Sequence, residues 1–458
     1  MNKSKYPRLM IAGAKSGSGK TTLTCALLKA LKNRNLNLTS FKCGPDYIDP
    51  MFHSEVIGIN SRNLDLFFNE EETIKSLFCK NAENSDIALI EGVMGFYDGI
   101  SAESTAASSY DLARVLETPV VLVLDCEGMY LSIVPAIKGY IDYKKDSNIK
   151  GVILNNVSQM IYGEMKEVIE KELNIKVLGH LPNMKEISFE SRHLGLITAK
   201  EVEELESKLE VMAEKVSETV DLDSLIALAN EAPDIEHKSI HIKKIYDNIN
   251  IAVAMDKAFC FYYADNLDLL REMGANIIPF SPINDEKLPE NIDGLIIGGG
   301  YPEVYAKKLS HNKSMRNEIY EAITLKGLPT IAECGGFMYL NETLEDIEGT
   351  EFKMVGAIKG KSYKTNKLGR FGYISLTAQE DTLICKKGMS IKGHEFHYWD
   401  STCNGQSFKA QKPMRKKNWL CINSINNLFA GYPHLHYYSN IDFASNFIHK
   451  CNDYKKGR

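Results

Sequence analysis

Residues 10–22 read MIAGAKSGSGKTT, and the rest of the chain takes its sense from them. The apolar run Leu9 to Ile11 predicts a short strand, Gly13 to Gly19 a tight glycine-rich turn, and Lys20-Thr21-Thr22 the opening of a helix that runs through Leu31. That order brings backbone N–H groups and a helix N-terminus onto phosphate oxygens. Ser16, Gly17, Ser18, Gly19 and Thr22 would then line the phosphates. Lys20 would reach the outer ones, and the Thr21 hydroxyl would be a magnesium ligand. The pattern G-x-x-x-x-G-K-[ST] asks for glycine where this chain has Ala14, with Gly13 one residue early; the rest is intact. The segment reads as a site for a nucleoside triphosphate.

Composition bounds what else the chain can be. A length of 458 residues suggests two or three domains, each able to bury a core. Apolar residues at 44% and charged residues at 25% are ordinary for a soluble globular protein. A net charge of −6 with no basic block argues against a nucleic-acid partner. The ten cysteines include no C-x-x-C pair, so neither a zinc site nor a disulfide framework is indicated. Met1-Asn2-Lys3 leads almost directly into the first strand with no apolar signal segment, and the longest apolar run, Pro119 to Leu124, is far short of a membrane span. A cytoplasmic protein without a membrane partner is expected.

Further strands follow at Leu38–Lys42, Asp86–Glu91, Pro119–Asp125, Gly151–Asn155 and Val177–Gly179, with helices predicted over Thr105–Leu116 and Ile161–Leu173. Near-continuous apolar strands alternating with helices imply a doubly wound parallel sheet. Gly44-Pro45 ends the second strand and puts Asp46, Tyr47 and Asp49 on the loop beyond it, where ligands bind in open α/β sheets. Two readings stay open there: turn-capping acids, or a magnesium and phosphate role. Glu91 closes the third strand in the position of a Walker-B acid and is a metal-ligand candidate, with Asp98 in the loop after it. Arg192 and His193 lie in a polar turn and are either carboxylate or phosphate binders or solvated loop residues. Lys15 completes K-S-G-S-G-K-T, which resembles the deviant P-loop whose first lysine reaches across a homodimer; a solvated loop lysine is the other reading.

An amphipathic helix is predicted from Lys200 to Leu228, and the polar stretch after it is the linker candidate. The division expected is a P-loop synthetase domain over 1–230, a linker over 231–248, a second α/β domain over 249–446 and a polar tail over 447–458. In the second domain a strand ending at Ile297 runs into Gly298-Gly299-Gly300, whose backbone N–H groups can face an oxyanion. The strand Pro329–Glu333 turns sharply at Cys334-Gly335-Gly336 into a helix, the strand–elbow–helix form that exposes a nucleophile. A cysteine at a helix N-terminus is expected to have a depressed pKa. Its base would come from Tyr432-Pro-His434-Leu-His436, where residues two apart on a strand share a face, so both histidines could look toward Cys334. Gly393-His394-Glu-Phe-His397 is a second histidine pair or a polar strand edge.

Taken together, Ser16-Gly-Ser-Gly-Lys-Thr21, Gly44-Pro-Asp-Tyr-Ile-Asp49, Glu91-Gly-Val-Met-Gly95, Glu190-Ser-Arg-His-Leu-Gly195, Gly298-Gly-Gly-Tyr-Pro-Glu303, Ala332-Glu-Cys-Gly-Gly336, Gly393-His-Glu-Phe-His397 and Pro433-His-Leu-His436 resemble the cobyrinic acid a,c-diamide synthase family over nearly the whole length. The resemblance implies a dethiobiotin synthetase-like domain followed by a class I glutamine amidotransferase domain. It implies ATP and Mg²⁺, with Thr21, Asp46 and Glu91 at the metal, and Lys15 to Thr22 at the phosphates. Asp46, Tyr47, Asp49, Asp98, Arg192 and His193 would serve the tetrapyrrole or its activated form. Cys334 would attack L-glutamine, His434 and His436 would complete the catalytic set, and Gly299, Gly300 and Gly335 would form the oxyanion hole. General amidotransferases of this class end in F-H-P-E, and here His436 stands where that glutamate belongs. Hydrogenobyrinic acid or nickel-sirohydrochlorin are alternative substrates, and a regulatory P-loop ATPase with a non-catalytic second domain is the rival from another class.

Overall fold

Parallel strands made almost wholly of apolar residues need cover on both faces, and the first half of the chain provides it. The computed structural model describes residues 2–183, 199–425 and 427–458. The chain divides into two units, Met1–Ile240 and His241–Arg458. The first holds a seven-stranded sheet in the order Ser61–Leu64, Leu38–Cys43, Ile87–Glu91, Arg8–Gly13, Val120–Asp125, Ile149–Asn155, Lys176–Leu181. Every pairing in it is parallel. The register sets Ile11 opposite Glu91, and Glu91 opposite Lys42, so the carboxyl ends of three adjacent strands come together. The helix Lys20–Asn33 buries Leu23, Leu27 and Leu31 against this sheet in a core shared with Leu209, Met212 and Val216.

Boundaries differ from expectation where side chains cap the backbone. The helix expected from Thr105 runs only over Ser109–Val115, because Ser108 accepts a bond from Asp111 N at 3.2 Å and starts it. The long helix expected to Leu228 is two, Ala199–Thr219 and Leu222–Asn230; Asp221 caps the second by accepting from Ser224 N at 2.9 Å. The stretch expected as a linker contributes a strand, Ile235–His237, which pairs antiparallel with Asn2–Ser4. Its polar composition hid the alternation of a two-residue buried face.

The second unit has a six-stranded sheet in the order Ala275–Phe280, Ile249–Ala254, Gly294–Ile297, Thr330–Glu333, Leu428–Gly431, Asn423–Ile425. It is parallel except for that last edge strand. An antiparallel five-stranded sheet carries Arg370–Ala378 and Ser390–His397, and ends on the two-residue strand His434–Leu435. The C-terminus is no free polar tail: the helix Ile441–Gly457 buries Phe447, Ile448 and Cys451, and the lysines at its end mask that apolar stripe in the sequence. Among the described residues no cysteine is joined in a disulfide. Among the described residues no helix is long and apolar enough to cross a membrane.

Candidate active sites

The first site forms where the sheet's carboxyl ends meet the helix Lys20–Asn33. Gly19 caps that helix with φ 87°, a left-handed conformation that a side chain would strain. Asn155 Nδ2 donates to Ser18 O at 3.0 Å, and Ser18 Oγ donates to Lys15 O at 2.8 Å, which together fasten the loop. Ala14 in place of the consensus glycine is accommodated, its carbonyl accepting from the Tyr140 hydroxyl. Ser16 and Gly17 are exposed on the loop and Thr22 is half-buried. Lys15 pairs with Asp125 of its own chain at 3.3 Å, its side chain 67% exposed.

Thr21 Oγ1 donates to Glu91 Oε1 at 2.6 Å, so the two oxygens expected at a cation do converge. The same carboxylate oxygen accepts from Lys42 Nζ at 2.7 Å, and Lys42 also pairs with Asp49. His53 completes the cluster, its Nε2 3.5 Å from Glu91 Oε2. Burial pushes Glu91 up to about 7, Asp49 adds to the rise, and Lys42 and Thr21 offset part of it. Asp49 goes the other way, down to about 2, because its contact with Lys42 outweighs burial. His53 is held near 4 by burial and is a neutral imidazole at pH 7. Lys20 is buried too; burial and Lys42 lower its pKa while Glu91, Asp49 and Asp46 oppose them. The set therefore balances two lysines against three acids.

Asp49 is not on a loop as expected: it occupies the first turn of the helix Ile48–Glu55, where Lys42 draws it inward. Asp46 accepts from Ile48 N at 2.8 Å, which starts that helix, and burial raises it to about 6. Tyr47 sits half-buried beside it. Asp98 is exposed and accepts from Gly95 N at 2.9 Å, closing the loop after Glu91. Arg192 and His193 lie outside the described residues. Among the described residues no group of three or more His, Cys, Asp or Glu side chains is arranged to hold a metal by itself. Thr21 and Glu91 are hard oxygen donors of the kind that holds magnesium through one or two side chains, with phosphates and water completing its shell.

Sequence reasoning passed over Lys42 and His53. A lysine at the end of an otherwise buried strand was the available signal, since a buried lysine needs a paired acid. Lys42→Met should cost about 3–5 kcal/mol of stability, because Glu91 and Asp49 would be left buried without their cation. Urea unfolding checks it; a midpoint and slope unchanged from the parent would refute the pairing.

The second site grows from the strand Thr330–Glu333. Cys334 follows it at φ 49°, ψ −102°, a conformation rare for a residue with a side chain and held by its neighbours. Cys334 N donates to Gly431 O at 2.8 Å and Gly336 N to Gly298 O at 2.9 Å. A Cβ on Gly335 would stand 3.1 Å from Gly300 N, and one on Gly299 would fall 2.4 Å from His434 Cε1. The three glycines thus form the passage between the elbow and the histidine, and Gly299 admits the imidazole only because it has no side chain. His434 pairs in register with His394, so Gly393–His397 is an inner strand rather than an edge. His397 stacks on Tyr432, ring centroids 3.8 Å apart, which seats the Gly431-Tyr432-Pro433 approach to His434.

Two expectations fail here. The Cys334 thiol is not depressed: burial pushes it well up, Glu303, Glu333 and Glu395 add to the rise, and the bond from Gly335 N offsets only part. A six-residue helix, Gly335–Leu340, is too small a counterweight. His436 does not continue His434's strand. The strand stops at Leu435, and the His436 ring packs against Tyr263 and Tyr438 at 5.2 and 6.3 Å. Asn266 clamps the turn, donating to Leu435 O and accepting from Tyr437 N, both at 2.8 Å. Burial holds His434 near 3, with His394 and His397 adding to the effect, so the resting pair is neutral thiol and neutral imidazole.

A family model described as CobQ/CobB/MinD/ParA nucleotide binding domain matches residues 9–197. One described as CobB/CobQ-like glutamine amidotransferase domain matches residues 250–441. A cobyrinate a,c-diamide synthase of Caldanaerobacter subterraneus subsp. tengcongensis is 44% identical over 448 residues, 97% of this chain and 98% of that one. Those of Listeria innocua serovar 6a and Clostridium tetani are 41% and 40% identical over 94% and 96% of this chain, covering 97% and 99% of their own lengths.

Proposed function

Because the chain belongs to the cobyrinate a,c-diamide synthase family, we propose that its two sites share the work of one amidation. The chain is a ligase that uses ATP and glutamine to convert the a and c side-chain carboxylates of cobyrinate into amides. Carboxylates do not react with ammonia at neutral pH, so each is first phosphorylated by ATP. Ammonia then displaces phosphate from the acyl phosphate and leaves the amide. Lys20 neutralises charge on the transferring phosphoryl group. Thr21 and Glu91 would hold Mg²⁺, which supplies charge compensation on the phosphates, and Lys42 fixes Glu91 and Asp49. Asp46, Tyr47 and Asp98 line the approach for the tetrapyrrole. We place the reaction in the cytoplasm, where ATP and glutamine are supplied. A homodimer served by Lys15 would need that lysine to leave Asp125.

At the second site Cys334 Sγ attacks the glutamine side-chain amide carbon while His434 takes the thiol proton. The neutral imidazole is the form that can accept it. The oxyanion lies toward Gly299, Gly300 and Gly335, the proton passes to the departing ammonia, and water later frees glutamate from the thioester. The observation that carries the reading is the convergence of Thr21, Lys42 and Glu91 in the same chain as a strained cysteine elbow whose adjoining glycine turn, Gly298 to Gly300, abuts a buried histidine. A regulatory ATPase would have no use for that elbow.

Incubation with cobyrinate, ATP, Mg²⁺ and glutamine should give a product carrying two carboxyl-to-carboxamide mass changes, with hydrogenobyrinic acid and nickel-sirohydrochlorin as competing substrates. Faster conversion of either competitor would move the substrate assignment. His434→Ala should lower glutaminase turnover by about 10²–10⁴-fold, the range of general-base catalysis, while His436→Ala loses less than about tenfold. The reverse order would put the base on the other histidine.

A further inference from the structure

We propose that Glu333 is the carboxylate that orients His434 and stabilises its cation, taking the place that the sequence gives to His436. The inference rests on the reading of Cys334 and His434 as nucleophile and base. His436 is the poorer candidate: an imidazole offers no negative charge, and the ring lies beyond the end of the His434 strand, packed against Tyr263 and Tyr438. Glu333 ends the strand Thr330–Glu333 in register with Gly431, three residues before His434. One carboxylate oxygen, Oε1, accepts from Leu435 N at 3.3 Å. The other, Oε2, stands 4.0 Å from His434 Nδ1. Ties to two consecutive residues hold the carboxyl at the edge of the ring.

A distance of 4.0 Å is too long for a hydrogen bond and suits an ion pair, which is what the reaction creates. The S–H bond of Cys334 breaks, Sγ bonds to the amide carbon, and the proton goes to His434. The imidazolium then presents Nδ1–H to Oε2, and the charge disappears again when the proton leaves with ammonia. A triad is defined by such geometry rather than by chain order. The carboxylate comes from the residue before the nucleophile instead of two residues after the base.

The surroundings make the role titratable. Burial raises Glu333 to about 8, the Leu435 amide opposing it. Tyr262 and Tyr437 line the same small cavity and are pushed far up by burial, so they stay neutral. Glu303 and Glu395, each raised to about 7 by burial, act on Cys334. Since the orienting form is the carboxylate, its contribution should grow as pH rises through the Glu333 pKa.

The test is glutaminase kinetics of the full chain between about pH 6 and about pH 9. Glu333→Gln keeps the acceptor for Leu435 N and removes the charge. It should lower kcat by about 10²-fold with little change in KM, and lower the ratio of glutamine- to ammonium-driven amidation equally. The ascending limb near pH 8 should vanish in this variant. Combined with His434→Ala, it should add no further loss, because it acts through that ring. Parental kcat in Glu333→Gln, or additive losses in the double variant, would overturn the assignment. If Glu333→Gln fails to fold, a parental profile flat across the range overturns it instead. Should Cys334→Ala keep glutaminase activity, the site reading itself fails; a dead Cys334→Ala beside a normal Glu333→Gln sinks this inference alone.

Discussion

Cys334→Ala should abolish amidation driven by glutamine and leave amidation driven by high ammonium. On the proposed assignment the variant loses the sulfur that forms the thioester, so glutamate release should fall to the background of the assay. Sγ is in its strained position because Gly431 O receives the Cys334 amide and Gly298 O the Gly336 amide, both backbone contacts. Removing sulfur disturbs neither. Ammonium bypasses the second site and reports on the first. Loss of the ammonium-driven reaction in a variant with parental unfolding behaviour would show that the two activities are not separate, and the division of labour would have to be abandoned.

Much of this was legible in the sequence because each motif carries its own geometry. Glycines at 17 and 19, Lys20 and Thr21 specify a strand, turn and helix, and the parallel sheet follows from strands with no polar face. The elbow at Cys334 was legible for the same reason, since two glycines after a strand permit few other paths. What stayed hidden depends on partners distant in sequence. Lys42 becomes part of the first site only through register with Glu91, and Asp49 turns inward only because that lysine is there.

The pKa of Cys334 was misjudged on similar grounds. Sequence shows the helix start but not the three acids around the sulfur or the depth of burial. The histidine pair misled because strand alternation holds only while the strand lasts, and it ends at Leu435. Ile235–His237 and the buried stripe of the C-terminal helix were masked by polar neighbours, which contact with the rest of each unit makes tolerable.

Lys20→Ala should lower amidation by about 10²-fold or more even with ammonium as donor, the scale of losing one preorganised charge at a developing transition state. Lys20 is buried, with Glu91, Asp49 and Asp46 holding its charge in place against burial and Lys42. Glutamate release by the same variant, measured with a competing thiol-free background, reports folding of the other site and should persist. Lys15→Ala provides the contrast. That side chain is 67% exposed and pairs with Asp125 in its own chain, a contact of the kind that solvent screens to little effect. Its removal should change amidation by less than about tenfold if the phosphates are served from within the chain. A Lys15→Ala loss equal to that of Lys20→Ala, rescued by mixing with Lys20→Ala protein, would show instead that Lys15 works across a dimer. Near-normal amidation by Lys20→Ala would remove the nucleotide from the loop at 13–21 altogether.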